Sequence, residues 1–211
     1  MKKASVLLIL FVFPLVAYLF FASGVNNFGR LPILTENISD IAHFEGGATF
    51  NDQITILGFL GTNIDLKQGN AFNLNQKIYK RFGKFKDFQI VMLVPKGEEK
   101  KVEDLKKELG KLSEIKKWNF AFGTTDEITS IFNQLKSNIK LDSDLGTSYV
   151  FIIDKDRNLR GRNDDEDEGT KYGFNTTSVA ELNNKMEDDV KIILAEYRLA
   201  LKKNNADRSN K

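Results

Sequence analysis

The chain has 211 residues, of which 41% are hydrophobic and 28% are charged, a balance typical of a protein that folds around an apolar core. Basic residues number 31 and acidic residues 29, and the resulting net charge of +2 gives no electrostatic reason to expect a nucleic-acid partner. There is no cysteine, which excludes disulfides, thiolate nucleophiles and thiolate metal sites.

The N-terminal segment, residues 1–24, has the composition of a membrane anchor. The run from Ala4 to Ala22 is uncharged, and as a helix it would be about 28 Å long, close to the thickness of a bilayer core. Phe20 is too large for a signal-peptidase site that cuts after Ala22, so we expect an uncleaved signal-anchor; a cleaved signal peptide is the alternative. The lysines before the run should stay in the cytoplasm. The sequence therefore predicts a single-pass protein of the bacterial inner membrane whose C-terminal domain faces the periplasm.

The first part of the remaining chain predicts a spacer followed by a strand and a helix. Residues 25–46 are mixed in composition and are expected to connect the anchor to a domain at residues 47–202. The stretch ITILGFL (54–60) is almost wholly apolar, as in a buried central strand. The apolar residues that follow recur at the spacing of an amphipathic helix: Ala71, Leu74, Ile78 and Phe82.

The same alternation continues along the chain. FQIVMLVP (88–95) and KWNFAFG (117–123) are predicted strands, and the helix between them is marked by Val102, Leu105, Leu109 and Leu112. Thr124 and Glu127 have the spacing of a capping box at the start of another helix.

The last part of the domain predicts a hairpin and a long helix. SYVFIIDKDRNLRGR (148–162) has the pattern of a strand, a polar turn and a strand, and a helical stripe runs from Val179 to Leu201. Residues 203–211 are expected to be a disordered tail. The order β-α-β-α-β-α-β-β-α predicts an α/β protein with a thioredoxin-like fold, in which a central mixed sheet is flanked by helices.

Three polar features were weighed as sites. The turn after Asp154 has some oxygen side chains of a calcium loop, but Leu159 stands where such a loop needs glycine, so a hairpin turn is the better interpretation. The acidic run at 163–169 is predicted to be a solvated loop. His43, the single histidine, is expected to be a polar spacer residue rather than a metal ligand.

Five segments together resemble the SCO1/SenC family, which are membrane-anchored, thioredoxin-fold copper proteins that help to assemble cytochrome c oxidase. In chain order these segments are NNFGRLPIL (26–34), ITILGFLGTN (54–63), WNFAFGTTDEI (118–128), YVFIIDKDRNLRG (149–161) and VAELNNKMEDDVKIILAEY (179–197). The resemblance covers roughly residues 5–201 and implies the same fold.

The family's copper site is not retained. In that family a T-x-C-P-x-x-C-P motif follows the first strand, and its two thiolates bind copper with a later histidine. The matching positions here run from Thr62 to Gly69, with Ile64 and Gln68 in place of the cysteines, and residues 142–148 contain no histidine. Copper(I) prefers thiolate and imidazole ligands, whereas isoleucine has no lone pair and glutamine offers a hard amide oxygen. The resemblance thus implies a degenerate member with no cofactor and no catalytic residue.

The residues left at this position are polar. We expect a pocket formed by Asn63, Asp65, Gln68, Asp142 and Asp144. The first functional hypothesis is a non-catalytic binding or assembly module in the biogenesis of respiratory complexes, with oxidase subunits or an active SCO-like relative as the partner. The alternative is a carrier of a hard metal ion or a small polar ligand in that pocket.

Overall fold

The computed structural model describes residues 3–23 and 29–209 of the chain, and side chains for residues 9–19 and 29–200. Helix α1, Lys3–Ser23, coincides with the predicted apolar segment. Within the described part of the chain, no helix is both long and apolar enough to cross a membrane. The membrane anchor stays a prediction.

The domain is built on a seven-stranded mixed sheet. Its strands are β1 (Ile33–Thr35), β2 (Ile54–Leu60), β3 (Phe88–Pro95), β4 (Trp118–Gly123), β5 (Gly146–Ile153), β6 (Leu159–Arg160) and β9 (Phe174–Asn175). In space the order is β1-β6-β5-β2-β3-β4, with β9 beside β5. Strands β2, β3 and β4 are parallel, and β5 is antiparallel to β2. A separate hairpin pairs β7 (Arg162–Asp165) with β8 (Gly169–Lys171).

Four helices connect or follow these strands. Helix α2 consists of Ile64–Leu74, a π-helical turn at Asn75–Tyr79 and Lys80–Phe82. Helix α3 is Glu99–Leu112 and α4 is Thr125–Gln134. Helix α5 consists of Val179–Glu181, a second π-helical turn at Leu182–Met186 and Glu187–Ser209. The tail predicted to be disordered at 203–211 is therefore helical as far as Ser209. The predicted alternation of strands and helices is confirmed.

The predicted capping box at the start of α4 is also confirmed. The amide of Glu127 donates to the hydroxyl of Thr124 at 3.3 Å, and the amide of Thr124 donates to the carboxylate of Glu127 at 2.7 Å. These two bonds satisfy amides that have no partner within the helix.

Both faces of the sheet are covered, so the central strand β2 is buried along its whole length. On one face, residues of β2 and β3 pack with α2, α3 and α5; the set includes Ile56, Ile90, Leu74, Leu105 and Ile193. On the other face the core includes Leu57, Val91, Phe132 and Phe151. This two-sided burial explains why β2 and β3 appear in the sequence as nearly continuous apolar runs.

The predicted spacer at residues 25–46 is corrected by the structure, because part of it belongs to the folded domain. Strand β1 pairs with β6, and several apolar residues of the segment are buried: Leu31, Ile38, Ile41 and Phe44. Glycine, asparagine and proline interrupt this segment, so its apolar residues show no strand or helix period. The domain therefore includes residues from Leu31 onward rather than from residue 47.

Candidate functional site

The candidate site lies at the carboxyl end of β2, where the chain turns into α2. Gly61 makes this turn with φ +67°, and a Cβ on it would lie 2.5 Å from the carbonyl oxygen of Asp144. The amide of Thr62 donates to the same carbonyl at 2.9 Å. Only glycine allows this conformation and this close approach together. The structure thus brings together the two segments, 61–68 and 142–148, between which the sequence predicted a pocket.

Ile64 and Gln68, one turn apart in α2, line the same cavity but differ in burial. Ile64 is 1% exposed and belongs to the hydrophobic core. Gln68 is half-buried, and together with Asp65 it lines a cavity of about 170 Å³ between α2 and α3. The α3 side of this cavity carries charges of both signs: Lys101, Asp104, Lys107 and Glu108.

The donor set at this position does not fit copper. A core isoleucine and an amide offer no soft ligand, whereas copper(I) prefers sulfur and imidazole. His43 has a side chain that is 56% exposed, and its Nε2 lies 3.9 Å from Oε1 of Glu127. Among residues 3–23 and 29–209, as far as they are described, no three or more His, Cys, Asp or Glu side chains are grouped to hold a metal ion.

Lys67 occupies the space between the two segments of the site. A Cβ placed on Gly146 would lie 2.3 Å from Cε of Lys67, so the lysine stem lies directly over this glycine. The Lys67 ammonium donates to Oδ2 of Asp142 at 2.9 Å. The lysine side chain is 11% exposed and the aspartate side chain 61%, so the stem is buried while the ion pair reaches solvent.

Sequence reasoning missed Lys67, although a signal was present. The buried residues in the first part of α2 are Ile64, Lys67, Ala71 and Leu74. Their spacing of 3, 4 and 3 continues the apolar stripe that predicted the helix. A lysine in this stripe has no apolar head group, so the apolar pattern begins at Ala71 and does not predict the first two turns of α2.

The structure divides the predicted polar pocket. Asp65 and Gln68 line the cavity beside α3, whereas Asp142 lines a separate cavity of about 310 Å³ with residues of β5. The carboxylate of Asp144 accepts a hydrogen bond at 3.1 Å from an amide of its own loop. Asn63 is exposed, and its side chain makes no capping bond to α2. The five side chains therefore do not surround one pocket, and ligand binding there stays a prediction.

The turn after Asp154 is a hairpin turn, as predicted. Asp154 is 1% exposed, and its Oδ1 accepts hydrogen bonds from the amides of Asp156 and Asn158 at 3.0 and 2.8 Å. Its Oδ2 accepts a hydrogen bond from Nη1 of Arg160 at 3.0 Å. Strands β5 and β6 pair antiparallel on either side of this turn. The carboxylate oxygens that a cation would need are used inside the fold.

The acidic run at 163–169 is not the fully solvated loop that was predicted. It forms the turn between β7 and β8, and Asp165 is only 7% exposed. Burial raises the pKa of Asp165, but hydrogen bonds from the Lys185 ammonium and from the amides of Asp167 and Glu168 outweigh it, so the net pKa is lowered. The Lys185 ammonium also lies 2.7 Å from Oδ2 of Asp167, so two of the like charges in this run share one cation from α5.

No family model matches this sequence, and no curated protein matches it. Solved structures do. BsSco, a member of the Sco family of cytochrome c oxidase assembly proteins, aligns over 78% of this chain and 98% of its own, with TM-score 0.52 and 14% identity. A thiol:disulfide interchange protein DsbE from Chlorobium tepidum aligns over 78% and 99%, with TM-score 0.51 and 13% identity. The soluble domain of Sco1 from Bacillus subtilis aligns over 76% and 94%, with TM-score 0.46 and 16% identity.

These likenesses show the fold alone. A central mixed sheet flanked by helices, shared with Sco and DsbE-type proteins over most of their length, is a thioredoxin-like fold. The predicted fold class of the domain is confirmed.

Proposed function

We propose that this chain is a membrane-anchored, non-catalytic binding module of thioredoxin-like fold, which faces the periplasm and takes part in assembling a respiratory oxidase. The proposal rests on the placement of the residues that follow β2. There Ile64 belongs to the core, and Lys67 fills the space between the two segments of the site.

The chemistry of the side chains supports a role without redox steps. Thiol–disulfide exchange begins with attack by a thiolate, and the chain has no cysteine to supply one. The solved neighbour BsSco is described by its disulfide switch, and no such switch can form between residues of this chain. The surface at the carboxyl end of the sheet therefore acts by contacting another molecule and not by thiol–disulfide exchange.

That surface has the features of a protein contact. Leu66, in the first turn of α2, is 82% exposed and follows directly after the cavity-lining residue Asp65. An apolar side chain surrounded by a polar rim is an arrangement found in protein interfaces. We assign the partner surface to Leu66 and the cleft between α2 and α3.

A site-specific crosslink tests this assignment. Because the chain has no cysteine, Leu66→Cys in the full chain can carry a single photo-crosslinker in native membranes. We expect one dominant adduct with an oxidase subunit or an SCO-like protein, identified by mass spectrometry. Val179→Cys is the matched control, since Val179 is also exposed, at 41%, but lies on α5. Equal adducts from both positions would refute the surface.

Copper binding tests the non-catalytic part of the proposal. Titration of the purified chain with copper(I) should show no sub-nanomolar one-to-one complex, because the ligand positions hold an isoleucine and a glutamine. The double variant Ile64→Cys, Gln68→Cys is the control, and it should bind copper(I) more tightly than the unchanged chain. A tight complex of the unchanged chain would contradict the proposal.

The alternative function, a carrier of a hard cation or a small polar ligand, rests on the cavity that contains Asp142. This cavity of about 310 Å³ is also lined by Ser148, Tyr149 and Glu168. Thermal denaturation in the presence of divalent cations tests it. Stabilisation that disappears in Asp142→Asn would favour the carrier over the binding module.

A further inference from the structure

The end of α2 carries a concentration of positive charge. Residues 77–86 contain five basic residues and no acidic one: Lys77, Lys80, Arg81, Lys84 and Lys86. Arg81 forms an ion pair with Glu187, while the four lysines form no ion pair with any described residue. The next acidic residue, Asp87, is paired with Lys155. Lys80, Lys84 and Lys86 are exposed and Lys77 is half-buried, so among the described residues the segment presents unpaired positive charge at the surface.

This charge lies at one end of the sheet. Residues 84–87 lead into β3 and residues 115–117 lead into β4, and the two strands are parallel, so both loops lie at the amino end. The amide of Lys117 donates to the hydroxyl of Tyr79 at 3.0 Å, and its ammonium donates to the carbonyl of Lys86 at 3.1 Å. These bonds join the two loops into one surface, which we name the basic end.

An aromatic ring stands in the middle of the basic end. Phe85 is 46% exposed and lies between the exposed Lys84 and Lys86. On the inner side its ring centroid lies 6.4 Å from that of Phe82, which is buried. Aromatic side chains partition into the interface of a bilayer, and neighbouring ammonium groups pair with anionic headgroups. This combination differs from the cleft near Leu66, where acidic and basic residues alternate.

We propose that the basic end docks on an anionic lipid surface through Phe85, Lys84 and Lys86. The proposal rests on the proposed membrane anchor. Helix α1 ends at Ser23 and the first buried residue of the domain is Leu31, so the eight steps between them reach at most about 29 Å. A tether of this length would give even a weak contact with the bilayer a high effective concentration.

Docking in this way would orient the domain. Leu66 lies at the carboxyl end of the sheet and Phe85 at the amino end, and seven residues of β2 separate the two ends by roughly 20 Å. With the basic end on the bilayer, the surface proposed for protein partners would point away from the membrane.

Quenching of tryptophan by brominated lipids tests the docking. The chain has one tryptophan, Trp118, which is 5% exposed, and its own quenching is measured in the unchanged chain and subtracted. The full chain with Phe85→Trp is reconstituted in vesicles of brominated phosphatidylcholine, with or without phosphatidylglycerol. We expect the quenched fraction to rise by about threefold or more with the anionic lipid and to fall at high salt. Leu66→Trp, at the opposite end, should show no quenching beyond that of the unchanged chain.

Charge reversal provides the matched control. Adding Lys84→Glu and Lys86→Glu to Phe85→Trp should abolish the lipid-dependent quenching. Adding Lys106→Glu and Lys107→Glu, a half-buried and an exposed lysine of α3, should leave it unchanged. Circular dichroism and the urea midpoint establish that each variant is folded. Quenching that is independent of the anionic lipid, or that survives the first pair of substitutions, would overturn the proposal.

Flotation of the vesicles after an alkaline wash separates this proposal from the anchor on which it rests. Chain that floats but shows no quenching refutes the docking alone. Chain that does not float refutes the anchor, and the quenching measured before the wash then decides whether the basic end binds lipid without a tether. The indole at position 85 could be shielded from a soluble quencher and yet not be quenched by brominated lipid. In that case another protein or a second copy covers it, and the lipid proposal fails.

Discussion

Two ion pairs in different regions of the molecule, Arg160 with Asp154 and Lys67 with Asp142, differ in how completely they are enclosed. The side chains of Arg160 and Asp154 are 4% and 1% exposed. Arg160 also donates to the carbonyl of Leu31 and to the carboxylate of Glu196, at 2.8 and 2.6 Å. In the candidate site the stem of Lys67 is buried, but its carboxylate partner is mostly in water.

The difference shows where this fold depends on its polar groups. A buried ion pair stabilises only when its hydrogen-bonding groups have partners, and removal of one member leaves an uncompensated charge. An ion pair that reaches solvent contributes little, because water can replace either member. The Arg160 network is therefore needed for the fold, while at the candidate site the packing of Ile64 and of the Lys67 stem matters more than the charge.

The largest expected effect is at the enclosed pair. Arg160→Met should lower the free energy of unfolding by about 3–5 kcal/mol, because Asp154 and the carbonyl of Leu31 lose their partner. Lys67→Met keeps most of the buried stem and should cost less than about 1 kcal/mol. Urea denaturation of the full chain in detergent, followed by the fluorescence of Trp118, measures both. Equal losses would remove the distinction between the two regions.

The next effect lies within the candidate site and separates its core from its surface. Ile64→Ala should cost about 2–5 kcal/mol, because it leaves a cavity between α2 and the sheet. Leu66→Ala, two residues later and 82% exposed, should change stability by no more than about 0.5 kcal/mol. The same denaturation experiment tests the pair. If Ile64→Ala lowered stability as little as Leu66→Ala does, Ile64 would not be closely packed in the core.

A smaller effect is expected where the lysine stem crosses the loop. A Cβ on Gly146 would lie 2.3 Å from Cε of Lys67 and 2.8 Å from the carbonyl oxygen of Leu60. Gly146→Ala should cost about 1–3 kcal/mol through overpacking. Adding Lys67→Ala should recover part of this loss, because it removes the side-chain clash and leaves the backbone clash. A double-mutant cycle with purely additive effects would show that the stem does not fill the site.

The smallest effect concerns pH and the ionic hairpin of β7 and β8. The pKa of Asp165 is lowered in the folded protein, so its contribution to stability is present above the ordinary aspartate pKa and is lost as the pH falls through the folded value. Urea midpoints measured between pH 6 and pH 3 should therefore fall less steeply for Asp165→Asn than for the unchanged chain. Identical slopes for the variant and the unchanged chain would contradict this assignment.

The strands were predictable where both of their faces are covered. Segments 54–60 and 88–95 coincide with β2 and β3, because strands buried on both sides need apolar residues throughout and end at turn signals. Strands β1 and β9 have three and two residues, which is too few to show a period. Their pairing depends on partners far away in the chain.

The candidate site was predictable in position but not in arrangement. The end of a buried strand indicated the loop at Gly61, and the resemblance pointed to Ile64 and Gln68. The direction of each side chain depends on contacts with distant elements, such as Lys67 with Gly146, and these are not encoded in local spacing. For this reason the sequence predicted one polar pocket, whereas the structure has one cavity between α2 and α3 and a separate cavity beside β5.

By itself the sequence determined the order of strands and helices and the lack of any thiol, since both follow from residue type and local period. Only the tertiary structure decided that Ile38 and Ile41 are core residues, that Lys67 fills the site, and that Arg160 joins Asp154 to Glu196. The physical reason is that burial and ion pairing depend on which surfaces meet in space, and residues more than a hundred positions apart meet here: Arg160 binds the carbonyl of Leu31.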